Sequence, residues 1–250
     1  MTRDGLGTWR WLERTGGRLG WRDRLALVGQ GVRARASARL GGRAGRAVRH
    51  VDVDSVLPPD RALCRAAEAL SAEASEDYLF NHCLRAYLWA RLLNDGKPFD
   101  DEAVYVALLL HDLGLTERYR ADAEEVQCFT LPAARVANRL ALDHGWADRR
   151  AALVADAIAL HLNVTVGDEY GREAQLVRLG SGADVAGLGL GRIDRDRRDA
   201  VVARHPRLGL KTRINAALVD DVARHPQGRL AFVCRHFGFR RLIRQAPFAD

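Results

Sequence analysis

LLLHDLGLTERY, Leu108 to Tyr119, sets an aliphatic run directly against a histidine and an aspartate. The run begins earlier, as DEAVYVALLLHDL from Asp101, with acids in its first turn and Gly114 just past its end. That pattern reads as a buried helix from about Asp101 to Leu113. An ionised carboxylate beside an imidazole is costly in such a place unless hydrogen bonds or a cation compensate the pair. Neighbouring side chains diverge by about 100° within a helix, but near a helix end they can converge on one ion. Further ligands must then come from neighbouring elements.

Outward from this stretch the texture stays helical. RALCRAAEALSAEA places Leu63, Ala66, Ala67 and Leu70 on one helix face. SEDYLFNHCLRAYLWARLL follows, with Ser75 at the expected N-cap and Asn94-Asp95-Gly96 as its stop. PAARVANRLALDHG, DRRAALVADAIALHL and KTRINAALVDDVARH continue the same periodicity. No period-2 alternation or βαβ rhythm interrupts it, so the fold class is all-α. GSGADVAGLGLG, residues 180–191, is not a dinucleotide fingerprint, because the third required glycine falls at Val185 and no strand precedes it.

A chain of 250 residues accommodates one well-buried core. The net charge of +7 is unevenly spread: residues 1–50 hold 12 arginines against Asp4, Glu13 and Asp23, a local +9, leaving −2 for the remainder. The expected organisation is therefore an Arg-rich, partly ordered N-terminal extension over 1–50 and a helical domain over 51–250. DRLALVGQGVRARASARL within the extension reads as a basic helix able to meet anionic phosphates or lipid headgroups. The rest of the surface carries no clear nucleic-acid signature. Cys64, Cys83, Cys128 and Cys234 lack CxxC spacing, which excludes a zinc ribbon and predicts reduced thiols. No apolar span or secretory signal is visible, and a cytoplasmic protein is expected.

Two more candidates complete the ligand set. His82 lies near the apolar stripe of the second helix, and Asp184 sits among Gly180, Ser181, Gly182 and Ala183, where backbone can approach closely. Two imidazoles and two carboxylates suit Zn²⁺ first, with Fe²⁺ or Mn²⁺ as alternatives, and leave positions open for water. His161 closes another apolar helical run, while Asn81 and Arg85 flank His82 and can support the site or bind substrate.

The order H…HD…D resembles the HD-domain superfamily of metal-dependent hydrolases. YLFNHCLRAYLWA, ALLLHDLGLTERY, ADAIALHLN and GSGADVAGLG, in this order, resemble the cyanamide hydratase type of that superfamily over about residues 51–225. The resemblance implies an HD helical bundle with His82, His111, Asp112 and Asp184 on one divalent metal, and Asp112 and His161 as catalytic candidates. It implies a small-molecule substrate and hydration of a nitrile-type carbon, cyanamide to urea or a related reaction. Where that type carries an acidic phrase like RFEVDGA, this chain has QCFTLPA, with Phe129, Leu131 and Pro132 at the positions of its Glu, Asp and Gly. A more apolar pocket and an altered substrate follow. The rival readings are phosphoester hydrolysis, with Arg85, Arg118 and Arg120 as the nearest cations, and a non-catalytic binding module. Assembly into oligomers is left open by the sequence.

Overall fold

The computed structural model describes residues 4–40, 51–122 and 124–249. Among the described residues there are twelve α-helices, short 3₁₀ turns and no strand, the expected all-α bundle. In chain order they are α1 (Trp9–Thr15), α2 (Trp21–Leu40), α3 (Ala62–Ala74), α4 (Asp77–Leu93), α5 (Asp101–Leu110) and α6 (Thr130–Asp143). There follow α7 (Asp148–Leu160), α8 (Gly171–Ala186), α9 (Arg195–Arg204), α10 (Leu210–Arg224), α11 (Arg229–Phe237) and α12 (Phe239–Arg244).

Helix α5 is the axis of the bundle. Every residue from Ala103 to Leu110 is buried, as expected of a helix that is apolar all round, and α3, α4, α7 and α8 surround it. Its first turn is held by the Asp100 side chain, which accepts from the Ala103 amide at 3.1 Å. Arg150 of α7 forks onto the same carboxylate at 2.6 and 2.8 Å. The α-helix stops at Leu110, short of the Leu113 expected from the sequence. Asp112 departs at φ −103°, ψ 9°, into a 3₁₀ turn over Leu113–Leu115. A Cβ on Gly114 would fall against the Phe129 carbonyl, so this glycine lets the turn seat the start of α6.

Helices α4 and α8 pack as a close pair. The contact depends on Gly180, whose absent Cβ would meet the Ala86 carbonyl oxygen. The small-residue run around Asp184 is thus helix interior rather than loop, and the backbone it admits is that of α4. Helix α4 itself begins after Glu76, one residue beyond the Ser75 expected as its cap; ends of this kind vary by a residue or two.

The first half of the basic arm is packed on the bundle. Thr8 caps α1 through its hydroxyl, the Trp9 amide donates to Asp156 at 2.8 Å, and Trp11, Leu12 and Leu27 are buried. Together with α10, α11 and α12 these residues form a second, smaller apolar cluster beside the main one. Residues 41–50 of the arm lie outside the described residues. Cys64, Cys83 and Cys128 are buried free thiols and Cys234 is a partly exposed one. No helix among the described residues is long and apolar enough to cross a membrane.

Candidate metal centre

Histidines 111 and 161 occupy equivalent places, each capping the C-terminus of an apolar helix, α5 and α7. In each, Nδ1 donates at 2.7 Å to the carbonyl three residues earlier, of Leu108 and Ile158 respectively. These bonds fix the tautomer and leave Nε2 as a lone pair directed inward. His82 reaches the same point from the middle of α4. Its Nδ1 donates to Asp184 Oδ2 at 2.8 Å, so its Nε2 also presents a lone pair.

Three donor atoms consequently face one another. His82 Nε2 and His111 Nε2 are 3.2 Å apart, and Asp112 Oδ2 lies 3.5 and 3.4 Å from them. All three residues are buried. Two lone pairs and a carboxylate oxygen repel at this range unless a cation lies among them. The edges also have the right size: donors bound tetrahedrally at about 2.05 Å stand roughly 3.3 Å apart. Among the described residues this is the one group of three or more His, Cys, Asp or Glu side chains that can hold a metal ion. His82, His111 and Asp112 therefore fit a divalent cation with a further position open.

Asp184 stands behind this triangle. Its oxygens accept from Arg85 Nε and Nη2 at 2.8 and 2.9 Å, from Trp89 Nε1 at 2.8 Å, from Arg207 at 3.3 Å and from His82 Nδ1. The structure thus brings His82, His111 and Asp112 together and sets Asp184 on the opposite edge of the His82 ring, where a carboxylate orients a ligating imidazole and raises its basicity. Burial opposes ionisation of Asp184, yet Arg85 and His82 outweigh it and hold its pKa far below the carboxylate range. The same contest, decided by His111, His82 and His161, lowers the pKa of Asp112. Burial, with His82 alongside, pushes the pKa of His111 down against the pull of Asp112.

Arg85 is fully buried and also donates to the carbonyls of His205 and Pro206 at 2.8 and 2.9 Å. Its fork holds the Asp184 carboxylate in place. Asn81 donates to the Pro206 carbonyl at 2.9 Å and ties α4 to the loop before α10. Trp89 and Arg207 were not singled out from the sequence; each touches Asp184, and Trp89 lies one helical turn after Arg85.

His161 borders the open side, its Nε2 3.6 Å from Asp112 Oδ1 and its ring edge-on to His111. Burial, then the neighbouring His111, pushes its pKa down to about 3. Above His111, Asp112 and His161 opens a cavity of about 270 Å³. Its walls are apolar: Phe129, Val185, Ile214, Leu218, Val233 and Phe237 among them. Of the three positions where the sequence departs from the acidic phrase, only Phe129 lines this cavity, edge-on to His161. The cavity lies where the main core meets the second cluster, and much of its wall comes from α10, α11 and α12.

The segment from 79 to 202, which runs from α4 into α9 and holds His82, His111, Asp112, His161 and Asp184, matches the family model of the HD domain. The class matched there typically consists of metal-dependent hydrolases. No curated protein matches the chain.

Proposed function

We propose that this protein hydrates a nitrile-type carbon borne on an apolar body, with the divalent cation held by His82, His111 and Asp112. Zn²⁺ suits two imidazoles and a carboxylate best. The observation that carries the reading is the apolar cavity standing directly on the His111, Asp112 and His161 side chains. A cation bound there supplies Lewis acidity and lowers the pKa of water towards about 7. The protein's own groups then govern protons and access. Addition of water forms a C–O bond, breaks one C–N π bond and leaves the nitrogen in need of a proton. His161 Nε2, a lone pair at the cavity floor, accepts the proton released by the attacking water. The same imidazole returns that proton to the nitrogen, giving the imidic acid, whose hydroxyl proton then passes to the nitrogen over the same group to give the amide. Phe129, packed on His161, and the aliphatic walls exclude bulk water from that exchange.

The arginine contacts weigh against phosphoester hydrolysis, which needs cations around the transferred group. Arg85 is committed to Asp184, Arg118 pairs with Glu73 and Arg120 with Asp220, and none of the three lines the cavity. Arg178 does line it, but it donates to the carbonyls of Asn163 and Val164.

The test is turnover by metal-loaded protein of cyanamide, a series of linear alkyl nitriles and p-nitrophenyl phosphate. Each methylene that enters the cavity is worth about 0.8 kcal/mol, so kcat/KM should rise about fourfold per carbon until the cavity is filled. Phosphate release without amide formation overturns the proposal.

A further inference from the structure

Helix α2 has an outward face that neither the bundle nor the site uses. Its inward side is fixed by three residues: Leu27 is fully buried, Gly31 abuts the Phe237 ring, and Ala34 lines the apolar cavity. On the other side Trp21, Leu25, Val28 and Val32 are exposed at 67, 63, 45 and 60 %. Their spacing of four, three and four residues aligns them in one stripe along the helix. At about 100° per residue, Arg22 and Arg33 fall on one flank of that stripe and Arg24 and Arg35 on the other. All four arginines are exposed. Asp23, the acid of this helix, projects on the inward half, where it accepts from the Gly20 amide at 2.9 Å.

We propose that α2 docks the protein on an anionic lipid surface. A contiguous row of large apolar side chains in water marks an interaction site, and its charge decides among occupants. A second copy of the chain, laid stripe against stripe, would set arginines against arginines on both flanks. A nucleic acid would satisfy the guanidinium groups but leave the aliphatic stripe against phosphates. A bilayer rich in acidic headgroups satisfies both: the stripe sinks to the acyl boundary, Trp21 sits at the interface, and the flanking arginines reach the phosphates. Seated in this way, α2 touches lipid with one face and, through Ala34, the wall of the apolar cavity with the other.

The experiment is co-sedimentation of the full chain with vesicles of phosphatidylcholine alone and with one-third phosphatidylglycerol, at low and high salt. At least tenfold more protein should pellet with the anionic vesicles, and high salt should reduce that excess. The double variant Leu25→Ser, Val28→Ser should lose binding at least tenfold while its thermal midpoint stays unchanged, since both side chains are exposed. Charge reversal at Arg22 and Arg33 should abolish the preference for anionic lipid. Equal pelleting on both vesicles, or on neither, overturns the proposal. So does a lipid-free dimer that the double variant dissociates, which would make a second copy the occupant.

Discussion

His111 and His161 show how a histidine placed at a helix end is aimed into a site. Each spends Nδ1 on the carbonyl three residues back, and what distinguishes them is distance from the triangle. His82→Ala and His111→Ala each remove a donor, so metal content measured by mass spectrometry should fall from one per chain to below about one tenth, with loss of turnover. His161→Ala should retain the metal and lower kcat by roughly 10²- to 10⁴-fold, the usual contribution of a positioned acid–base group. Asp184→Asn leaves the buried Arg85 guanidinium without its charge partner. That change should cost about 3 to 5 kcal/mol in urea unfolding and weaken metal affinity roughly 10- to 100-fold. The triangle was legible in the sequence because each of its three residues interrupts an apolar face within a phrase that resembles the HD-domain motifs. The place of Asp184 was not, since spacing says that an aspartate is near but not which edge of an imidazole it meets.

Helices α4 and α8 carry the site because glycine lets them touch. Gly180→Ala puts a methyl group against the Ala86 carbonyl, and the separation it forces should cost about 1 to 3 kcal/mol. It should also weaken metal binding, since Asp184, one turn on, holds His82; calorimetric titration of the variant with Zn²⁺ checks this. The extent of these helices was largely visible in their apolar spacing. Their ends were less so: α5 stops at Leu110 because the chain turns there to aim Asp112, a tertiary demand that periodicity does not record. Helix α1 is the clearest case of structure hidden by composition. Its arginine-rich surroundings read only as a partly ordered extension; Leu12 is fully buried, and Leu12→Ala should cost about 2 to 5 kcal/mol of stability. An unchanged denaturation midpoint would show that α1 contributes nothing to the core.

For the whole molecule, pH links burial to stability. Burial, with Arg204 and Arg85 nearby, pushes the pKa of His205 down to about 4, against about 6.5 unfolded. The unfolded chain therefore binds the extra proton first, and stability should decline as pH falls from about 6.5 towards 4. His161 acts in the same direction. Asp100, where burial is outweighed by the Arg150 fork, has a lowered pKa, so its contribution is present above the unfolded carboxylate pKa and is lost as pH falls through the folded value. Urea midpoints of chelator-treated protein at pH 7.5, 5.5 and 4.5 should fall in that order, and His205→Asn should flatten the first part of the decline. The sequence by itself determined that the chain is helical, that α5 is buried, and that His82, His111 and Asp112 stand at interruptions of apolar faces. Those features are written in local periodicity, because a side chain's face on a helix depends only on its neighbours along the chain. Only the tertiary structure decided that Asp184 backs His82, that the arm's first half joins the core, and that α10 to α12 wall an apolar cavity. Each of these depends on which faces meet across long sequence separations, and close packing between helices settles that, not the spacing within one of them.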